Sequence, residues 1–333
     1  MKTGLTLGKY SPLHKGHQYL IEKAISEMDH VIVVIYNSPE TTNIPLQLRA
    51  DWIRNIYPAV EVIEAWDGPT EIGDTPDIKQ AHETYLCKKL GGEQISAFYS
   101  SEFYGDHISK ALKAKNRLID REIVNISGTK IRSNPYKYKS FLHPLVYKDF
   151  VTNVVFVGAP STGKTTLSKK LSEIFETQWM PEYGRTYWKK NHLNRRLTKS
   201  QLLEIAQKHL TEEDRLIQES KKYIFSDTNA TTTFMFGKYY HGDVLPELER
   251  LAISSEKRYD LWFLCGGDIP YEDTWDRSGD LNRKWFQYQI ESDLNTRKIP
   301  YIKLIGDLNQ RITRVKSILS KHKKFESIFN TSM

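Results

Sequence analysis

Two short stretches of this chain combine residue types whose spacing suits phosphate chemistry. In Gly8-Lys9-Tyr10-Ser11-Pro12-Leu13-His14-Lys15-Gly16-His17, the glycines let backbone amides approach phosphate oxygens, and the apolar periodicity of a helix follows at once. His14 and His17 stand three residues apart, so both can point into one crevice and donate hydrogen bonds to a triphosphate. The second stretch, Gly158-Ala159-Pro160-Ser161-Thr162-Gly163-Lys164-Thr165, follows a strand-like run and opens a helical one, the setting of a Walker A loop. Backbone amides from Gly158, Ser161, Thr162, Gly163 and the following Thr166 would cradle phosphates. Lys164 would reach the β and γ groups, and Thr165 would bind Mg²⁺.

The elements that must position these loops alternate strand and helix twice. In the first half, strand-like runs at Leu5–Gly8, Val31–Tyr36, Val60–Ala65, Ile95–Ser100 and near Glu122–Ile126 are separated by helical patterns from about His17, around Leu48–Tyr57 and around Ile78–Leu90. The segment from Ser133 to about Phe150 lacks periodicity and carries Asn134-Pro135 and His143-Pro144, which mark a junction. Beyond it come strands at Val154–Val157, Tyr223–Ser226, Leu261–Cys265 and Tyr301–Ile305. The helical stretches there start at Gly163, Ser200, Leu245, Asn282 and Leu308. Such alternation implies βαβ units and parallel sheets. The expected architecture is α/β, with a domain over residues 1–135, a linker over 136–150 and a second domain over 151–325.

Composition narrows the function classes. A chain of 333 residues with 39% hydrophobic and 27% charged residues suits two globular cores and excludes a disordered or collagenous protein. The apolar runs are strand-sized, which argues against a membrane span, and the N-terminus does not read as a secretory signal, so a cytoplasmic location is expected. Cys87 and Cys265 have no metal-ligand spacing and read as free thiols. The formal charge of +7 is modest, with Lys and Arg interspersed among Glu and Asp; anionic small molecules account for it as well as nucleic acid would.

The first motif resembles the Gly-x-Phe/Tyr-x-Pro-x-His-x-Gly-His signature of the nucleotidylyltransferase superfamily, and Ile126-Ser127-Gly128-Thr129-Lys130-Ile131-Arg132 resembles that superfamily's second signature. Ser127 and Thr129 suit a helix N-terminus, while Lys130 or Arg132 can reach phosphates. Gly8, Lys9, Tyr10 and Gly16 join Ser127 and Thr129 as expected nucleotide contacts. In adenylyl transfer to a mononucleotide the nucleophile is a phosphate, already largely ionised at neutral pH, so no general base is required. His14, His17, Lys130, Arg132, backbone amides and Mg²⁺ would supply alignment and charge stabilisation.

A kinase acceptor hydroxyl, by contrast, keeps its proton and calls for a carboxylate. Glu182, in Pro181-Glu182-Tyr183-Gly184-Arg185, and Asp227, in Phe225-Ser226-Asp227-Thr228-Asn229, stand at expected strand ends. Glu182 is favoured as base and Asp227 as the magnesium partner in the Walker B position; the exchanged assignment stays open. Asp276-Arg277-Ser278-Gly279-Asp280 reads as a lid loop whose Arg277 closes on the phosphates.

The two modules in this order resemble the bifunctional nicotinamide-nucleotide adenylyltransferase and ribosylnicotinamide kinase, the NadR family, from about Thr3 to about Ser320. Further residues carry the resemblance: Arg49 and Trp52, Ser100-Ser101-Glu102, Glu182-Tyr183-Gly184-Arg185, Asp227-Thr228 and Asp276-Arg277-Ser278. It implies a Rossmann-like nucleotidylyltransferase fold followed by a P-loop kinase fold. ATP would be co-substrate of both, with Mg²⁺ as cofactor. The other small molecules would be nicotinamide mononucleotide (NMN), nicotinamide riboside and NAD, and Arg49, Trp52, Tyr183 and Arg185 would contact substrate. Some family members begin with a helix-turn-helix repressor domain, whereas this chain begins at the nucleotidyl strand, so no DNA and no membrane partner is expected; self-association stays open. Family members often carry a second acidic residue where Asn229 stands, which puts a metal role there in question. Bifunctional coenzyme A synthases, fused riboflavin kinase and FAD synthetase, and a non-catalytic nucleotide sensor are the competing readings.

Overall fold

The computed structural model describes residues 1–71, 73–102, 104–191, 196–270 and 282–325. Its contacts divide into two compact units, residues 1–147 and 148–324. In chain order the first unit contains β1 (Thr3–Gly8), α1 (Lys15–Glu27), β2 (His30–Tyr36), α2 (Leu46–Ile56), β3 (Glu61–Ala65), α3 (Pro76–Lys89), β4 (Ala97–Ser100), α4 (Gly105–Ala111), β5 (Lys115–Leu118), α5 (Gly128–Ser133) and α6 (Pro144–Tyr147). The second contains β6 (Thr152–Val157), α7 (Lys164–Ile174), β7 (Gln178–Met180), α8 (Tyr183–Asn191), α9 (Lys199–Glu219), β8 (Tyr223–Asp227), α10 (Ala230–His241), α11 (Pro246–Ser254), β9 (Leu261–Cys265), α12 (Arg283–Thr296), β10 (Ile302–Leu304) and α13 (Leu308–Lys321).

Each unit holds a five-stranded sheet, ordered β3-β2-β1-β4-β5 in the first and β10-β9-β6-β8-β7 in the second. Every pairing is parallel. Parallel strands with helical crossovers are covered on both faces, which is why the central strands read as unbroken apolar runs. Along β6 the side chains alternate: Val154 and Phe156 pack with Leu167, Leu171, Val315 and Leu319, while Val155 and Val157 pack with Ile205, Ala206, Phe286 and Ile290. In the first sheet β1 lies between β2 and β4 and in the second β6 lies between β8 and β9, so the chain builds outward from each middle strand in opposite directions and a crevice opens beyond its carboxyl end.

Two expectations from the sequence change. The run Glu122–Ile126 is not a strand: Arg121–Val124 forms a 3₁₀ turn whose Glu122 amide donates to Asp120, and the fifth strand is Lys115–Leu118. That strand lies at the sheet edge with largely exposed side chains, so it lacks the apolar signal that the β-branched residues of the turn imitate. The helix α10 was not expected either. Its first turn is the threonine run Thr231–Thr233, a poor helix former by propensity, but Asn229 caps it through Thr232 N at 3.0 Å and the turn is buried. Asn229 therefore serves as a helix cap.

Candidate active sites

In the first unit, the loop after β1 and the start of α5 line one cavity of about 430 Å³. Gly8, Lys9, Tyr10, Ser11, His14, Gly16 and His17 come from the first motif, and Ser127, Gly128, Thr129 and Arg132 from the second. The two motifs meet closely: a Cβ at residue 128 would lie 2.7 Å from the Ser11 carbonyl, so only glycine fits there, and Arg132 donates to that same carbonyl. Ser127 caps α5 through Lys130 N at 3.3 Å. Lys130 itself is exposed and does not line the cavity; of the two basic residues, Arg132 is the one the fold brings in.

The rings of His14 and His17 stack with centroids 3.7 Å apart, and Tyr10 meets His17 edge-on at 4.9 Å. His14 caps α1, its Nδ1 accepting from Gly16 N at 3.2 Å, so its proton resides on Nε2, which is left to donate. Burial, aided by the positive charge of Arg121, pulls His14 down to about 4. Burial and the adjacent His14 hold His17 well below its usual value as well. Both rings are neutral hydrogen-bonding groups, and the buried Nδ1 of His17 has no hydrogen-bond partner among the described residues. Arg121, which carries no motif of its own, also lines the cavity, paired with Glu102 at 2.8 Å. The strand expected over Glu122–Ile126 concealed it.

Arg49 and Trp52 do not line the cavity. Arg49 is fully buried (0% exposed) and donates to the carbonyls of Ile44, Lys9, Tyr36 and Asn37, which ties the loop after β1 to the end of β2. Desolvation lowers its guanidinium to about 10. Trp52 is buried along the same helix as Leu46, Arg49 and Ile53. Arg49 meets the site through the backbone carbonyls it holds in place.

In the second unit the loop after β6 wraps the start of α7. Gly158, Ser161 and Gly163 have φ of +143°, +59° and +79°, the left-handed values that turn successive amides inward. A Cβ at Gly158 would lie 2.8 Å from the Cys265 carbonyl. Lys164 rests its ammonium on the Ala159 carbonyl at 2.9 Å, and Thr162 donates to the same oxygen at 2.8 Å. The loop is braced from distant sequence: Gln287 accepts from Ala159 N at 2.7 Å, Arg283 donates to Ser161 O at 2.8 Å, and Arg311 donates to Thr162 O at 2.6 Å and Asp268 at 2.8 Å. None of these braces carries a local motif, so sequence spacing could not reveal them.

Asp227 ends β8 fully buried (0% exposed), accepting from the Thr165 hydroxyl at 2.5 Å, and its other carboxylate oxygen has no hydrogen-bond partner among the described residues. Burial, reinforced by the negative charge of Glu182 and opposed by Lys164, raises Asp227 to about 6. Glu182, just beyond β7, is 31% exposed and lies 3.8 Å from Arg185 Nη2. Tyr183 packs partly against the apolar cluster on this face. Thr166 follows Thr165 as an exposed residue of α7. Arg277 and its loop lie outside the described residues. Among the described residues no cluster of three or more His, Cys, Asp or Glu side chains is arranged to hold a metal, and no helix is long and apolar enough to cross a membrane.

Two phosphate-binding crevices, each on its own parallel sheet, define a nucleotidyltransferase joined to a P-loop kinase. Residues 5–134 match the cytidylyltransferase-like family and residues 153–311 match an AAA domain family. The chain is 30% identical over 328 residues to the trifunctional NAD biosynthesis/regulator protein NadR of Salmonella typhimurium, spanning 90% of this chain and 78% of that protein. A crystal structure of a NadR protein in complex with NR superposes with a TM-score of 0.59, covering 96% of this chain and 95% of that one at 21% identity. A NadR protein in complex with NAD and AMP-PNP gives 0.58 over 100% and 98%, also at 21%. The solved structures share the fold, and the chain belongs to the NadR family.

Proposed function

We propose that this chain makes NAD in two steps, phosphorylating nicotinamide riboside to NMN in residues 151–325 and transferring the adenylyl group of ATP to NMN in residues 1–135. The carrying observation is the contrast between the phosphate motifs of the two crevices: stacked neutral histidines in one, a Walker loop with the buried Asp227 and the nearby Glu182 in the other. The relatives support the nicotinamide assignment, being NAD biosynthesis proteins, with solved members that hold NR, NAD and AMP-PNP.

In the N-terminal crevice an ionised phosphate oxygen of NMN attacks the α-phosphorus of ATP, the α–β anhydride bond breaks, and pyrophosphate leaves with the electron pair. His14 Nε2–H, His17, Arg132 and the amides of the first loop stabilise charge that grows on these oxygens. Burial holds both imidazoles below their usual pKa, so at neutral pH each is uncharged and donates through one ring N–H.

In the C-terminal crevice Glu182 removes the proton from the riboside hydroxyl, which attacks the γ-phosphorus while ADP departs. Its partial exposure leaves it reachable by substrate, whereas the buried Asp227 faces Thr165. The Thr165 hydroxyl and the unpartnered Asp227 oxygen are the hard oxygen donors that suit Mg²⁺, which takes few protein ligands and keeps water and phosphate oxygens. When bound, the ion would neutralise phosphate charge. ATP use implies a cytoplasmic setting. Product analysis by mass spectrometry tests the proposal: incubation with ATP, Mg²⁺ and either nicotinamide riboside or NMN should yield NMN and ADP, or NAD and pyrophosphate. Nucleotide binding without either product would establish a sensor instead.

A further inference from the structure

One amide of the Walker loop is already taken by the protein. Ala159 N donates to Gln287 Oε1 at 2.7 Å, and Gln287 Nε2 donates to the Cys265 carbonyl at 3.1 Å. These two bonds allow the Gln287 amide a single orientation, since a backbone N–H only donates and a carbonyl only accepts. Gln287 is presented by α12, which Phe286 and Ile290 anchor in the same apolar cluster as Val155 and Val157, the residues that lead into the loop. Arg283, four residues earlier on the same helix face, holds the Ser161 carbonyl at 2.8 Å. Thus α12 grips the loop on both sides of Pro160.

The grip reaches Lys164 through one peptide. A residue that precedes proline has a restricted backbone, so fixing the N–H of Ala159 also fixes the direction of its carbonyl. That carbonyl accepts from Lys164 Nζ at 2.9 Å and from Thr162 Oγ1 at 2.8 Å. Lys164 is only 9% exposed, yet its ammonium ends a flexible four-carbon stem, so the partner it finds decides where the charge rests.

We infer that Gln287 is a positioning residue for Lys164: by fixing the Ala159 peptide it stores the ammonium inside the Walker loop, ready for the phosphates of ATP. The inference rests on the kinase reading above. A charged phosphate oxygen is a stronger partner than a neutral carbonyl, so an arriving nucleotide takes the ammonium from Ala159 while the stem is already ordered. Without Gln287 the Ala159 peptide is free to turn, and the freedom that the Lys164 stem regains must be lost again on binding. Gln287 is neutral and adds no charge of its own to the site, so its influence on ATP passes through the loop.

Gln287→Met keeps the length of the side chain and removes both bonds. In riboside phosphorylation KM for ATP should rise about 10-fold, on the scale of one hydrogen bond. KM for the riboside, adenylyl transfer to NMN and the melting temperature should stay near wild type. The deciding measurement is a double-mutant cycle on kcat/KM for ATP: in a Lys164→Ala chain, Gln287→Met should cost nothing further, because the side chain it positions is gone. Losses that add in full, or a lowered melting temperature with KM for ATP unchanged, overturn the inference. Gln287→Ala must give the same cycle, so the test survives a Met variant that fails to fold. Should the wild-type chain not phosphorylate the riboside, the kinase reading fails by itself, and the cycle is read on ADP affinity by calorimetry; non-additive losses there uphold Gln287 as a positioning residue and additive ones overturn it.

Discussion

The crevices beyond β1 and β6 occupy equivalent places in their sheets, yet their charged groups are of different kinds. Beyond β1, burial leaves the stacked His14 and His17 neutral, and Arg49 is used up on carbonyls. Beyond β6, a buried carboxylate is kept beside an ammonium and a hydroxyl, with a second carboxylate near enough to raise it. The difference follows the nucleophile. A phosphate arrives ionised and needs donors to hold it, while a hydroxyl arrives protonated and needs a base and a cation.

The sharpest way to break this contrast is to remove the base. Glu182→Gln should lower the turnover of riboside phosphorylation about 100- to 10,000-fold, the usual span for general-base catalysis, with little change in ATP affinity. Asp227→Asn should chiefly raise the Mg²⁺ needed for half-maximal rate. Magnesium titrations of both variants decide the roles: if the Glu182 variant alone demands more Mg²⁺, they are exchanged, and if neither loses activity the base lies elsewhere.

Loss of one donor in either crevice comes next. Lys164→Ala should abolish riboside phosphorylation and leave supplied NMN adenylylated, and His17→Ala should do the reverse, each by about 100- to 1000-fold. Loss of both activities in either folded variant would mean the two crevices are not chemically independent.

Arg49→Ala probes the buried guanidinium as a brace. It leaves several carbonyls unpaired and should cost roughly 3 kcal/mol of stability, at about 1 kcal/mol or more per orphaned group. Calorimetry should show a lowered transition with riboside phosphorylation intact at 25 °C; an unchanged melting curve would make Arg49 dispensable to the fold.

The smallest effect is on pH. Because burial and Glu182 raise Asp227 to about 6, its carboxylate is charged above that value and gains a proton as pH falls through it. The Mg²⁺ required for tight nucleotide binding should therefore rise below about pH 6, and Glu182→Gln should move that transition downward by removing the repelling charge. A transition that stays in place would show that desolvation alone sets it.

Much of both crevices is legible in the amino-acid sequence. The glycines and histidines after β1 and the Walker loop after β6 lie within ten residues each, and their backbone turns, caps and ligand contacts depend on near neighbours along the chain. Asp227 can be placed because its strand reads as an apolar run, whereas Glu182 follows the short edge strand Gln178–Met180, whose apolar signal is weak. The edge strand β5 and the threonine-rich start of α10 cannot, since exposure hides one and propensity disfavours the other.

By itself the sequence determined the order of the two modules, the residues expected to touch phosphate, and the lack of a carboxylate in the first motif. Tertiary structure decided the rest. It turned Arg132 toward the cavity while leaving Lys130 exposed, assigned Arg49 to bracing Tyr36, and brought Arg283, Gln287 and Arg311 behind the Walker loop from more than a hundred residues away. These choices depend on desolvation and on which carbonyls need a donor, and both quantities exist only once distant segments have closed upon one another.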